Sequence, residues 1–304
     1  MKKFYFMILL IYIMTDKGIS EFITFPKSFE KYRWYKPILV FIIALILSFI
    51  LTLVLVAVFS EIYGQSLMES FLSRGYEVMN TEMGQIFSEL GVIIMLPSLY
   101  IATKIVKDRP FSSYASSRGG WNHKLFFKAL IIPFIVFLVV GFIENAIAGS
   151  KGEYHFSILF FIITLILVPL QSIAEEYVYR GLIMQAFGSW FNIPLLAVIL
   201  QAIIFALSHG YNSLGNIEVF VFGLLMGFLA WKSNGIEVTS AFHAGNNLAL
   251  ALLVMFGMQA STSNVQMNDV IIAFIVDIAL FIIIYYIGKK SNWFGEIPEN
   301  SQNA

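Results

Sequence analysis

Apolar residues run along the chain in long uninterrupted blocks, with neither the two-residue alternation of a half-buried strand nor the one-sided stripe of a soluble helix. Eight blocks stand out, at about 37–59, 86–105, 125–143, 156–176, 191–208, 218–231, 236–256 and 270–287. Most approach the roughly 20 residues needed to cross a bilayer as a helix. The pattern predicts an all-α polytopic bundle of about eight transmembrane helices. The connecting loops are short, which argues for one structural unit. An additional apolar run, 4–14, follows Lys2 and Lys3 but is too short to span. It imitates a signal peptide without a small-residue cleavage site, so an interfacial segment or an overlong start is the expectation.

Composition agrees. Of 304 residues, 59% are hydrophobic and 12% charged, about half the charged share of a soluble domain. Nineteen basic and nineteen acidic residues cancel, so nothing suggests nucleic acid as a partner. There is no cysteine, which excludes a thiol nucleophile, a disulfide framework and a cysteine-ligated metal. Lys and Arg gather in alternate loops: the N-terminal segment, then Lys107, Arg109, Arg118 and Lys124, then Lys232, then Lys289 and Lys290. The intervening loops carry Arg74 and Lys151. Both termini are therefore expected in the cytoplasm.

Ionisable residues at membrane depth are costly and usually face a cavity. The densest cluster is Ala174-Glu175-Glu176-Tyr177-Val178-Tyr179-Arg180-Gly181. On a helix Glu176 and Arg180 are i,i+4 partners, while Glu175 points about 100° away. One carboxylate is neutralised by the guanidinium and the other is left free for general-base work; a juxtamembrane charge cluster is the bland alternative. A second element is Phe205-Ala206-Leu207-Ser208-His209, whose imidazole suits positioning a water, binding a metal, or simply an interfacial place. A third is His243-Ala244-Gly245-Asn246-Asn247. Its His243 and Asn247 share a helix face and supply donors for an oxyanion or for interhelical hydrogen bonds. Gly223 and Gly227 form a GxxxG pattern that reads as close helix packing. Glu89, Glu218, Glu237 and Asp277 also fall in or near spans; interfacial placement accounts for most of them and no role is assigned.

An EExxxR motif, then FxxxH in the next span, then HxxxN two spans later, resembles the type II CAAX prenyl endopeptidase family, also called CPBP or Abi. The resemblance covers about 125–256. It divides the chain into a basic cytoplasmic segment 1–36, two accessory helices and a loop at 37–124, a catalytic core at 125–256, and a last helix and tail at 257–304. It implies an intramembrane endopeptidase acting on a peptide or membrane-protein substrate, of CAAX type or in bacteriocin and peptide processing. By similarity Glu175 activates water, His209 positions it, Glu176 and Arg180 support that pair, and His243 and Asn247 stabilise the oxyanion. Phe205 is assigned to substrate. The family is often described as metalloprotease-like. Glu175, His209 and His243 are the metal candidates, with zinc possible in principle, although no HExxH helix is present and a metal-free glutamate mechanism fits equally well. The serine-type GxSG and aspartyl-type GxGD signatures are absent.

Two other readings stay open: a non-catalytic bacteriocin self-immunity or membrane-binding protein, and a secondary transporter, which no inverted repeat supports. The lack of cysteine and the short loops suggest a bacterial cell membrane, where a secreted peptide suits better than a prenylated protein. One tension remains. Simple hydropathy counting puts Glu175 near the cytoplasmic side and His209 near the far side, where they cannot meet. Continuing the fourth helix to a turn near Gly188 and Ser189 brings both to one depth. Long, broken helices around a polar cavity are therefore expected.

Overall fold

The computed structural model describes residues 21–65, 68, 69, 73 and 75–295. The run at 4–14, Lys2, Lys3, Lys17 and Arg74 lie outside the described residues. Among those described, the chain is helical, with two isolated β-bridges and no strand. The long helices are α1 (Lys36–Tyr63), α2 (Glu82–Val106), α3 (His123–Ala148), α4 (Ile158–Phe191), α5 (Pro194–Leu207), α6 (Ser213–Ser233), α7 (Glu237–Met255) and α8 (Met267–Lys290). All but α5 are long and apolar enough to cross a membrane. At 14 residues, α5 reaches only about 21 Å. The chain is thus an all-α polytopic bundle with seven spanning-length helices and one shorter apolar helix.

Local chemistry sets the helix ends. Thr81, Asn122, Ser157 and Asn212 each accept a hydrogen bond from a first-turn backbone N–H through the side chain, satisfying donors that have no intrahelical partner. Pro194 starts α5 at a position where its missing N–H costs nothing. Helix α2 breaks at Ile94, because Pro97 removes the bond to the Ile93 carbonyl and crowds it.

Burial ranks the helices. Only 11% of the apolar window of α1 is covered by the rest of the chain, against 83% of that of α7. Helix α7 is therefore the axis of the bundle, packed mainly on α3 and α4. Gly245 lets it approach α3 closely, since a Cβ there would lie 2.8 Å from the Phe134 nitrogen and 2.9 Å from Pro133 Cβ. The GxxxG expectation holds in the same way. Cβ atoms at Gly223 and Gly227 would press on Ala202, Val198 and Gln201 of α5.

The two ends of the bundle differ. One gathers the start of α1, the ends of α2, α4 and α6, and the end of α8. It is tied by Trp190 Nε1 donating to the Trp34 carbonyl (2.7 Å), Lys27 to Asn192 Oδ1 (2.6 Å), and Arg118 to Glu237 (2.8 Å). This basic end holds Lys27, Lys31, Lys36, Lys104, Lys107, Arg109, Arg118 and Lys124. There Arg109 lies 3.7 Å over the Tyr114 ring and the Tyr114 hydroxyl donates to Asp108. Burial pushes the Tyr114 phenol up, so it stays a neutral donor. The opposite end joins residues 75–81, 208–212 and 257–266, through Asn80 Nδ2 donating to the Ser261 carbonyl and Asn212 N–H to the Ser263 carbonyl, both 2.9 Å.

Candidate active site

Helix α4 carries the acidic cluster across a change of helical form. Residues Ile158–Glu176 are α-helical and Tyr177–Met184 are π-helical. Such widened turns concentrate at functional sites. Two outside contacts hold this one. Gly181 packs under the Tyr114 backbone, where a Cβ would lie 2.6 Å from the carbonyl oxygen. Arg109 donates to the Gly181 carbonyl at 3.1 Å and to the Gln185 side chain.

The helix does continue past the two glutamates, and it ends at Asn192 rather than near Gly188 and Ser189. Asn192 takes the left-handed conformation (φ 55°) as its C-cap. Glu175 lies 16 residues before Phe191 (191 − 175), about 24 Å, and α5 returns about 21 Å. Glu175 and His209 are therefore nearly level, and both line one cavity of about 410 Å³. Glu175 sits midway along α4 rather than near one face. This corrects the simple hydropathy count, which cannot see that the helix runs on through Tyr177–Phe191.

Helices α4 and α7 meet in two polar rungs one turn apart. In the first, Asn247 Nδ2 donates to Gln171 Oε1 at 3.0 Å. In the second, His243 Nε2 lies 3.3 Å from Glu175 Oε2 and His243 Nδ1 lies 3.1 Å from Glu176 Oε1. Behind them Arg180 Nη1 donates to Glu176 Oε1 at 2.8 Å, with both side chains fully buried. The guanidinium also donates to the Gly223 carbonyl (3.4 Å) and lies 4.5 Å over the Phe205 ring. Gln201 Nε2 shares that carbonyl at 2.8 Å. The rings of Phe205 and Phe222 stand edge-on to His243, at 6.1 and 5.4 Å. A neutral imidazole has one donor nitrogen and one acceptor. With a carboxylate oxygen at each nitrogen, the Glu175–His243–Glu176 chain has room for one proton beyond that.

Of the residues singled out above, Glu175, Phe205, His209, His243 and Asn247 line the cavity, while Glu176 and Arg180 lie behind its wall. His209 Nδ1 is 2.7 Å from the Phe205 carbonyl, so the ring donates there and presents Nε2 as an acceptor. The metal candidates do not form a metal centre. Among the described residues no three His, Asp or Glu side chains are grouped to hold an ion. His243 has both nitrogens on carboxylates, which leaves Glu175 and the His209 Nε2 as free donors, one short of the three protein ligands of a catalytic zinc. The set as arranged therefore does not fit zinc.

Among the lining residues to which the sequence reading gives no role are Gln171, Gln85, Glu89 and Glu218. Gln171 stands four residues before Glu175, on the same helix face, and that spacing could have revealed it. For Glu89 and Glu218 the only signal was an ionisable group in a span.

Residues 155–249 match the family model described as type II CAAX prenyl endopeptidase Rce1-like. The matched stretch contains Glu175, Glu176, Arg180, Phe205, His209, His243 and Asn247, and it leaves out α1, α2 and α3. The uncharacterised protein YyaK of Bacillus subtilis (strain 168) is 28% identical over 179 residues, which cover 55% of this chain and 60% of that protein. The alignment thus spans less than two thirds of that relative. No solved structure matches the chain. Residues 155–249 thus resemble the type II CAAX prenyl endopeptidase family, within a bundle of membrane-spanning length whose other helices the match does not cover.

Proposed function

We propose that the chain is an intramembrane endopeptidase in which Glu175 is the general base. The observation that carries this is a carboxylate in a cavity wall, held at 3.3 Å by His243, with a second carboxylate already neutralised by Arg180 behind it. A water between Glu175 and the His209 Nε2 face attacks the carbonyl carbon of a peptide in the cavity, and Glu175 takes its proton. The tetrahedral oxyanion accepts a hydrogen bond from the second amide proton of Asn247, whose first goes to Gln171. The C–N bond then breaks, and the leaving nitrogen takes the proton from Glu175. His243 bridges both glutamates, so its first task here is to orient Glu175. Glu176 and Arg180 hold His243 in turn.

We place the basic end and both termini in the cytoplasm of a bacterial cell, following the lysine and arginine distribution. Among the described residues of the opposite end, Lys151 is the basic residue. The cavity extends from Glu175 to Tyr211, Ser261 and Ser263 at that opposite end. This favours a secreted or membrane-protein segment over a cytoplasmic prenylated tail. Cysteines introduced at Ser112 and Ser261 report the topology directly, because the chain has no competing thiol. An impermeant reagent added to whole cells should label position 261 and not 112.

The enzymatic test compares membrane proteomes of cells making the wild type or Glu175→Gln. New peptide termini that vanish in the variant support the assignment. Identical termini in both would remove it and leave peptide binding or immunity without cleavage as the better reading.

A further inference from the structure

The α2 wall of the cavity lies outside the matched family segment and contains polar groups the fold does not use. Gln85 and Glu89 are i,i+4 neighbours on one helix face, 2% and 6% exposed, and both line the cavity. Both amide atoms of Gln85 and the Oε2 of Glu89 are buried without a hydrogen-bond partner. Such groups are rare in native structures and call for a cause.

The charge around them is one-sided. Among the described residues, Glu89, Glu175 and Glu218 line the cavity, and no lysine or arginine does. Arg180, the nearest guanidinium behind the wall, is committed to Glu176. A site of this kind lacks a cationic donor that can satisfy several oxygens at once.

We propose that Gln85 and Glu89 form a specificity subsite for the side chain of a lysine or arginine close to the scissile bond of a peptide substrate. The ammonium or guanidinium donates to Glu89 Oε2 and to the Gln85 carbonyl oxygen, and the Gln85 N–H donors turn to a backbone carbonyl of the same peptide. Guanidinium, with five donors in a planar fork, satisfies more of these acceptors than ammonium. Selection comes from rejection as well as attraction: a neutral side chain leaves the Glu89 carboxylate buried and unpaired. The subsite refines the peptidase reading and rests on it.

The test reads binding, so that it does not depend on cleavage. Detergent-solubilised Glu175→Gln protein is titrated with acetyl-Ala-Ala-Lys-Ala-Ala-amide and with the same peptide carrying norleucine for lysine. The lysine peptide should bind about 10- to 100-fold tighter, the range of a charge-assisted hydrogen bond. Adding Glu89→Gln should bring the two peptides level, and adding Gln85→Leu should remove part of the preference. Unchanged melting of both variants shows that the fold is intact. Equal affinities in the Glu175→Gln protein, a preference that survives Glu89→Gln, or no binding of either peptide each overturns the subsite. The peptidase reading is judged separately, by the loss of new termini in Glu175→Gln cells.

Discussion

Glu176 and Glu89 are the same residue type in the same bundle, and among the described residues only Glu176 is met by an opposite charge. Glu176 is fully buried, and although its Oε2 has no hydrogen-bond partner among the described residues, its Oε1 meets Arg180 at 2.8 Å and His243 at 3.1 Å. Glu89 is 6% exposed, with one oxygen unpartnered beside a Gln85 whose side-chain amide has no partner among the described residues. A buried charge is tolerated when paired and hydrogen-bonded, and is a liability otherwise. The α4–α7 corner therefore pairs its own charges: Arg180 and His243 hold Glu176, and His243 holds Glu175. Among the described residues the α2 wall has no such pairing. Sites that break local rules of satisfaction are where function is expected.

The largest effect should come from the one carboxylate that belongs to both regions. Glu175→Gln keeps shape and burial but removes the base, and should lower cleavage by about 10²- to 10⁴-fold. Quantified substrate termini measure this, with melting behaviour close to wild type. Next, Arg180→Met strands Glu176 in the core and should destabilise the protein by about 3–5 kcal/mol. The double change Glu176→Met with Arg180→Met should recover much of that loss, because no charge is left unpaired. Unfolding in detergent reads both. If Arg180→Met alone proved harmless, the corner would not be the charge-paired unit described. A smaller effect is expected one turn along α7. Gly245→Val places atoms where Phe134 and Pro133 already sit, should cost about 1–3 kcal/mol by overpacking, and should weaken catalysis by shifting His243 away from Glu175.

The same contrast explains what could be read from the sequence. The helices were legible because each is a long apolar run, and the EExxxR, FxxxH and HxxxN spacings put Glu175 and His243 on helices that converge, with His209 just past the end of α5. The eight-span count was less secure: Pro194 and the Ser208-His209-Gly210 stretch hold α5 to 14 residues, and an apolar run does not announce its own shortness. The pairing of Glu176 with Arg180 was legible as i,i+4 chemistry. That His243 touches both glutamates was not, since contact across α4 and α7 depends on how two helices rotate against each other. Glu89 stayed without a role for a similar reason. An acid in a span points toward some cavity, and only the packing of α2 on α4 shows that it is the one containing Glu175.

The smallest predicted change is the sharpest test of the comparison. Glu89→Met replaces an unpartnered buried carboxyl with an apolar side chain of similar length. No hydrogen bond to the free oxygen is lost, and the desolvation cost of that oxygen disappears. Stability should therefore stay within about 0.5 kcal/mol of wild type or rise slightly, unlike the result at Arg180. A drop of several kcal/mol would mean that Glu89 serves the fold as Glu176 does, and the two regions would no longer differ in kind. A neutral or stabilising result, together with loss of discrimination between lysine and norleucine peptides, would identify Glu89 as a group the fold leaves unsatisfied until substrate arrives.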